Sequence, residues 1–180
     1  FEVHGGLRLR VLELGTLLAG PFCGQLLGDF GAEVLKIEPP GQGDPMRDWG
    51  REKANGKSLW WPVQSRNKKC TTLNLRHERG QKMLLELVKT ADVVVENYRP
   101  DVKDRLGIGY DSLRKINRRI ILASISGFGQ SGPYRTRAGV DQIAQGMGGL
   151  MWVTGEPGKG PMRAGIAVAA LIDDEGAAEL

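Results

Sequence analysis

Cysteine and histidine are scarce in this chain: two of each, Cys23, Cys70, His4 and His77, in 180 residues. The two cysteines lie far apart, with no CxxC or Cys/His spacing, so neither a zinc site nor a disulfide framework is expected. A reducing cytoplasm is the natural compartment for such a sequence. Also missing is any uninterrupted apolar run near the roughly 18 residues of a membrane span, and the first residues lack the basic-then-apolar pattern of a signal peptide. There is no dense basic block either. The 25 Lys+Arg against 21 Asp+Glu leave a formal net charge of +4, an excess that favours an anionic ligand without the charge density of a nucleic-acid binder. The first residue is Phe1 rather than Met, which points to a trimmed or lost start and leaves a lost mitochondrial leader open.

What is present is the composition of a soluble globular protein, 41% hydrophobic and 26% charged, so disorder is not expected. Leu9 to Leu14 (LRVLEL) reads as a strand. Gly15 and Ala19-Gly20-Pro21 follow, with Pro placed for the first turn of a helix. From Phe22 to Phe30 the spacing sets Phe22, Leu26, Leu27 and Phe30 on one helical stripe, Gly31 stops the helix, and Glu33 to Ile37 (EVLKI) is a second strand. Such a βαβ unit implies parallel strands with a right-handed crossover.

Between Pro39 and Lys69 the prolines and glycines interrupt any regular period, and a loop of that length is usually functional or pinned by a partner. Regular elements resume with a strand over Thr71 to Leu75, a helix over Glu78 to Thr90, and a buried strand over Asp92 to Glu96 (DVVVE). Short helices over Asp101 to Leu106 and Tyr110 to Ile116 lead to a strand over Ile120 to Ile125. The Gly-rich stretch Gly127 to Pro133 is too punctuated for a regular element. Asp141 to Leu150 is a candidate helix despite its three glycines, each of which lowers helix propensity by about 1 kcal/mol relative to Ala. Alternating strands and helices predict an α/β fold, a parallel sheet with helices on both faces.

Several residues are candidates for ligand contact. Gly15 to Gly20 follows the first strand and invites a dinucleotide reading with Glu38 as ribose partner, but GxGxxG spacing is absent and a plain tight turn is the better explanation. Backbone N–H groups at that helix start remain available to an anionic or polar ligand. Basic residues gather at Arg66, Lys68, Lys69 and Arg76, and again at Arg99, Lys103 and Arg105. They suit phosphates at strand ends, or simply a solvated face. Asn97-Tyr98 ends the DVVVE strand with an amide and a ring that would suit a purine, or that cap and pack. Asp141 is either an acid or base, or a helix N-cap.

Five segments in unbroken order carry a resemblance: VLELGTLLAGPFCGQLLGDFGAEVLKIEPPGQGDPMRDWG, SRNKKCTTLNL, ADVVVENYRPDVKDRLGIGYDSL, ILASISGFGQSGPYRTRAGVD and GLMWVTGEP. Together they resemble the family III CoA-transferases, the formyl-CoA and succinyl-CoA:dicarboxylate transferases, from about Leu9 to Val168. The resemblance implies that residues 1–180 are an N-terminal, Rossmann-like CoA-binding portion, with a functional loop at 39–69. It also implies that the remainder of a fold whose subunits interlock as rings in a homodimer is absent here. Coenzyme A or an acyl-CoA would be substrate rather than a resident cofactor, a small carboxylic acid its co-substrate, and neither nucleic acid nor membrane a partner. By similarity, CoA would meet Leu18 and Ala19, then Leu73, Asn74, Leu75 and Arg76, then Asn97, Tyr98 and Arg99, and Arg105. Pro39 stands where some relatives carry a basic residue, leaving one phosphate contact unfilled.

In the family an aspartate carboxylate attacks the thioester and forms first an anhydride and then an enzyme-bound CoA thioester, splitting a hard exchange into easier covalent steps. Where relatives read GVAVADLTAG, this chain reads Gly165 to Asp174 as GIAVAALIDD, with Ala170 at the aspartate position. Asp173 and Asp174 are the substitutes within reach of one helical turn, but displaced by about 5 Å along it, a misplacement expected to abolish covalent catalysis. Two further readings follow: a non-catalytic CoA-binding fragment or pseudoenzyme, and an α-methylacyl-CoA racemase. The racemase needs a His/Asp pair, and His4 and His77 both lie outside the Gly127 to Leu150 region where its base would sit.

Overall fold

A computed structural model describes residues 8–165; Ala170, Asp173 and Asp174 lie outside the described residues. The chain divides into two compact units, Phe1–Ser124 and Ile125–Leu180.

The first unit is built on strands β1 (Arg10–Glu13) and β2 (Glu33–Glu38), joined by helix α1 (Ala19–Asp29). Helix α1 ends because Gly31 takes φ +96°, which lets the Ala32 N–H reach back to the Leu27 carbonyl at 2.9 Å in a Schellman-type close. The stripe of Phe22, Leu26, Leu27 and Phe30 is not the face that α1 turns to the sheet. Leu26 and Phe30 are exposed, and Gly20, Pro21, Gly24, Gln25 and Gly28 are buried instead. The reason is distance: a Cβ at Gly24 would stand 2.0 Å from the Glu13 carboxylate, so only a glycine face lies this close to the strands.

The segment expected to be irregular carries elements of its own. A 3-10 turn spans Pro45–Asp48, β3 (Lys53–Ala54) and β4 (Lys57–Ser58) form a hairpin, and α2 covers Trp60–Gln64. Asn55 and Gly56 both have positive φ, +51° and +74°, the two-residue turn that matches strand twist. Strand β5 is Lys68–Thr72, earlier in the chain than the Thr71 to Leu75 expectation, because Lys68 and Lys69 pair with Val34 and Leu35 of β2.

Helix α3 (Glu78–Val88) starts with the His77 Nδ1 accepting the Arg79 N–H at 3.1 Å. Strand β6 (Val93–Glu96), helices α4 (Pro100–Arg105) and α5 (Tyr110–Ile116), and strand β7 (Ile121–Ser124) follow. All five main strands are parallel, in the order β5-β2-β1-β6-β7. This is the doubly wound arrangement: the chain steps one way from β1 to β5, then crosses back to β6 on the other side of β1. On the face opposite α1, Leu12, Leu14, Ile37 and Val94 meet Leu84 and Val88 of α3 and Leu113 of α5 in one core cluster. Each fully buried side chain of that size contributes roughly 1.5–3 kcal/mol.

In the second unit, Gly127 and Gly139 lie back to back, each so close that a Cβ would fall 2.3 Å from the other's Cα. Helix α6 (Asp141–Met147) is followed by α7 (Leu150–Val153), and Gly149 at φ +79° separates the two where a single helix was expected. Val140, not Asp141, is the N-cap of α6. The Asp141 carboxylate instead accepts from Gln145 Nε2 at 2.7 Å, and Gln145 Oε1 takes the Ala164 N–H at 2.9 Å. Among the described residues no helix is long and apolar enough to cross a membrane.

Candidate functional site

Parallel strands deliver all their carboxyl ends to one edge, and the crevice outside that edge, where strand order reverses, is where doubly wound sheets take their ligands. Here the reversal lies between β1 and β6. The loop leaving β1 and the residues leaving β6 are joined directly. Asn97 Oδ1 accepts the Thr16 N–H at 2.8 Å and its Nδ2 donates to the Thr16 carbonyl at 2.9 Å. Gly15 and Gly20 must both be glycine at this junction, since a Cβ on either would meet the other's Cα within 2.8 Å and Asn97 within 3.1 Å. The amide that the sequence offered to a purine is thus engaged in holding the β1–α1 loop.

The same loop is held from the other side. Lys36 Nζ donates to the Gly15 carbonyl at 2.9 Å, and Asp44 Oδ1 accepts the Leu17 N–H at 3.1 Å. Leu17 has φ +63°, a conformation that costs an L-residue about 1–2 kcal/mol. Leu18 precedes the first turn of α1 without a side-chain cap, the kind of helix start whose N–H groups can accept an anion.

Beneath α1 lies a buried set of charges. Lys36 Nζ is 2.8 Å from both Glu13 Oε1 and Asp44 Oδ2, and Lys68 Nζ is 2.7 Å from Glu13 Oε2, with all four side chains no more than 1% exposed. Burial pushes the Glu13 carboxyl up and the Lys68 ammonium down. Burial also opposes the charge on Lys36, but Glu13 and Asp44 outweigh it and hold that ammonium above its ordinary value. Glu38, 3% exposed, accepts from Arg47 at 2.8 and 2.7 Å and from the Asp44 N–H at 2.7 Å. Burial opposes its ionisation, and Arg47 with the Asp44 N–H overcomes this and holds the carboxyl below the usual range. Arg47 in turn lies 3.8 Å over the Trp61 ring. Glu38 is therefore turned into the protein, which removes it as a ribose partner.

Three of the basic candidates are similarly committed. Lys68 is the Glu13 partner, Lys69 pairs with Glu33 at 2.7 Å, and Arg66 forms a fork on Asp29. None of these is a phosphate ligand in waiting. Arg76 and Arg99 are exposed, and Arg105 pairs with Asp101 across one helical turn at 3.3 Å while its side chain stays 71% exposed.

The chain matches the CoA-transferase family III profile over residues 8–173. The chain belongs to CoA-transferase family III. Similar proteins include the succinyl-CoA–D-citramalate CoA-transferase of Chloroflexus aurantiacus, 53% identical over 160 residues that make up 89% of this chain and 40% of that enzyme. The succinyl-CoA:glutarate CoA-transferase of Mus musculus is 45% identical over 163 residues, 91% of this chain and 37% of the mouse enzyme. Among solved structures, a CAIB/BAIF family protein from Brucella suis superimposes with a TM-score of 0.83 at 43% identity, covering 90% of this chain and 44% of that one. This family III chain thus spans about two fifths of the length of the curated relatives it matches.

Most of the positions that the family resemblance singled out follow the carboxyl end of a strand. Leu18 and Ala19 open α1 after β1. Leu73 to Arg76 leave β5, where the Leu73 N–H reaches the Glu38 carbonyl at 3.0 Å and Asn74 Oδ1 accepts the Arg76 N–H at 3.1 Å. Asn97, Tyr98 and Arg99 leave β6, and Arg105 closes α4. Tyr98 packs its ring against the core, and burial, with Glu96 beside it, drives the phenol up to about 12. Pro39 leaves β2 at the same edge. Sequence reasoning missed Asp44 and Lys36. The signal was present, since a lysine in the middle of an otherwise apolar strand is seldom buried without a partner.

Proposed function

We propose that this chain supplies the CoA-binding part of a family III CoA-transferase, an enzyme that passes CoA from a dicarboxylic acyl-CoA to a free carboxylic acid. The observation that carries the reading is the junction at the β1/β6 reversal. An uncapped helix start follows β1, and the exposed Arg76 and Arg99 follow the ends of β5 and β6, the side on which such folds take nucleotides. In this reading Leu18 and Ala19 offer backbone to the pantetheine and phosphate region, while Leu73 to Arg76 and Asn97 to Arg99 flank the nucleotide end and Arg105 adds positive charge. The names of the relatives supply the acyl class, succinyl and related dicarboxylic thioesters. The intact enzyme would be a homodimer of the cytoplasm.

In the family reaction a carboxylate oxygen bonds to the thioester carbonyl carbon and the CoA sulfur leaves with the electron pair of the broken C–S bond. The thiolate then attacks the resulting anhydride on the enzyme's own carbonyl, giving the enzyme-bound thioester as the anhydride C–O bond breaks and the donor acid leaves as its free carboxylate. Ala170 has a methyl side chain and no carboxylate for the first step. The 180 residues are therefore proposed to bind CoA reversibly and not to turn over.

The test is intact-mass spectrometry after incubation with succinyl-CoA, followed by peptide mapping. Reversible CoA binding without an adduct supports the reading. A CoA adduct on Asp173 or Asp174 would show that the nucleophile has moved along the chain and that the chemistry is retained.

A further inference from the structure

Asp44 is only 1% exposed and is not among the residues that the family resemblance assigns to CoA, yet both of its carboxylate oxygens and its N–H have partners. One oxygen, Oδ1, accepts both the Met46 N–H at 2.8 Å and the Leu17 N–H at 3.1 Å. The other, Oδ2, sits 2.8 Å from Lys36 Nζ, and the Asp44 N–H donates to Glu38 at 2.7 Å. Gly43, at φ +68°, makes the approach possible, because a Cβ there would meet Glu38 at 2.8 Å and Arg47 at 2.9 Å.

At the far end of this arrangement stands Leu17, a residue type that seldom adopts positive φ without being held there. Its side chain is 38% exposed, so burial of the leucine does not explain the conformation. The hydrogen bonds do: Asn97 fixes Thr16, Lys36 fixes Gly15, and Asp44 fixes Leu17. Of these only Asp44 takes the N–H of the strained residue itself. The turn that results carries the chain from β1 into the uncapped first turn of α1.

We infer that Asp44 is a positioning residue for CoA, holding Leu17 in its left-handed conformation so that the backbone of Leu18 and Ala19 meets the ligand in a preformed geometry. Lys36 fixes the carboxylate by its charge, and Glu38 fixes the backbone that carries it. The inference rests on the proposed CoA site, and the experiment separates the two.

CoA is titrated calorimetrically into the native chain and into Asp44→Ala, Leu17→Gly and the double variant, with thermal unfolding of each. Asp44→Ala is expected to raise the Kd for CoA about tenfold, the size of effect associated with one strained residue. The double variant should return to within about threefold of native, because glycine adopts positive φ without the cost that leucine bears. Should Asp44→Ala not fold, Asp44→Asn carries the same comparison, since the amide oxygen is a weaker acceptor and its NH2 cannot pair with Lys36. A purely structural role would lower Tm in both Asp44 variants with no recovery of affinity from Leu17→Gly, and that result overturns the inference. So does unchanged affinity in the Asp44 variants. A native chain that fails to bind CoA removes the site itself, and the inference with it.

Discussion

Asn97 holds both backbone groups of a single residue, Thr16, which lies 81 positions earlier in the chain. The contact closes the two strands flanking the reversal point of the sheet, so the β1–α1 loop and the β6 terminus behave as one edge. Replacing Asn97 by Ala removes two hydrogen bonds, each worth about 1 kcal/mol net. We expect Asn97→Ala to lower the unfolding free energy by about 2 kcal/mol in urea and to weaken CoA in a parallel titration. Unchanged stability would show that the Thr16 contact does not hold the loop.

Gly24 sets the distance between α1 and the sheet. A methyl group there would strike Glu13, whose partners Lys36 and Lys68 are buried with it. Gly24→Ala is expected to cost about 2 kcal/mol or more, because either the helix lifts or the ion pairs separate. Leu26→Ala, on the exposed side of the same helix, should change stability by about 0.5 kcal/mol or less. Chemical denaturation of the two variants makes the comparison.

The Asp29 carboxyl is held down to about 2, chiefly by its hydrogen bonds from Arg66. A depressed acid contributes stability that is complete above its unfolded value, 3.8 here, and is lost as pH falls through the folded value. Carbon-detected NMR titration should place the Asp29 midpoint near 2 in the native chain and return it to the ordinary aspartate range in Arg66→Met. Both side chains reach solvent, so added salt should shrink the difference.

Arg105 separates stability from binding. Its pair with Asp101 lies on the surface of α4 at 3.3 Å, the kind of contact worth less than about 1 kcal/mol. Arg105→Ala should therefore leave Tm nearly unchanged while raising the Kd for CoA several-fold. If Arg105→Ala combined with Asn97→Ala bound CoA as the native chain does, these two residues would have no part in the site.

Much of this architecture is legible in the amino-acid order. DVVVE reads as a central strand because Val93, Val94, Val95 and Glu96 are all buried, and fully buried parallel strands are continuous apolar runs. The face of α1 was not legible from periodicity. Phe22, Leu26 and Phe30 form the better apolar stripe, but close approach over Glu13 decides in favour of the glycines. In the 39–69 segment the prolines and glycines mask regular elements, although Asn55-Gly56 between short extended pieces is itself a hairpin signal. In the site, Leu73 to Arg76 and Asn97 to Arg99 directly follow the ends of β5 and β6. The basic cluster misled because charge in sequence does not reveal its partner: Lys68, Lys69 and Arg66 answer Glu13, Glu33 and Asp29, more than thirty residues away in each case.

CoA is proposed to bind at the carboxyl edge around the β1/β6 reversal. Amide chemical-shift mapping by NMR during a CoA titration tests it most directly. Binding there is expected to place the largest saturable shifts on Gly15 to Ala19, Leu73 to Arg76, Asn97 to Arg99, and Arg105. Shifts confined to the opposite, amino-terminal edge near Arg10, Glu33 and Thr90, or no saturable shift at all, would contradict it.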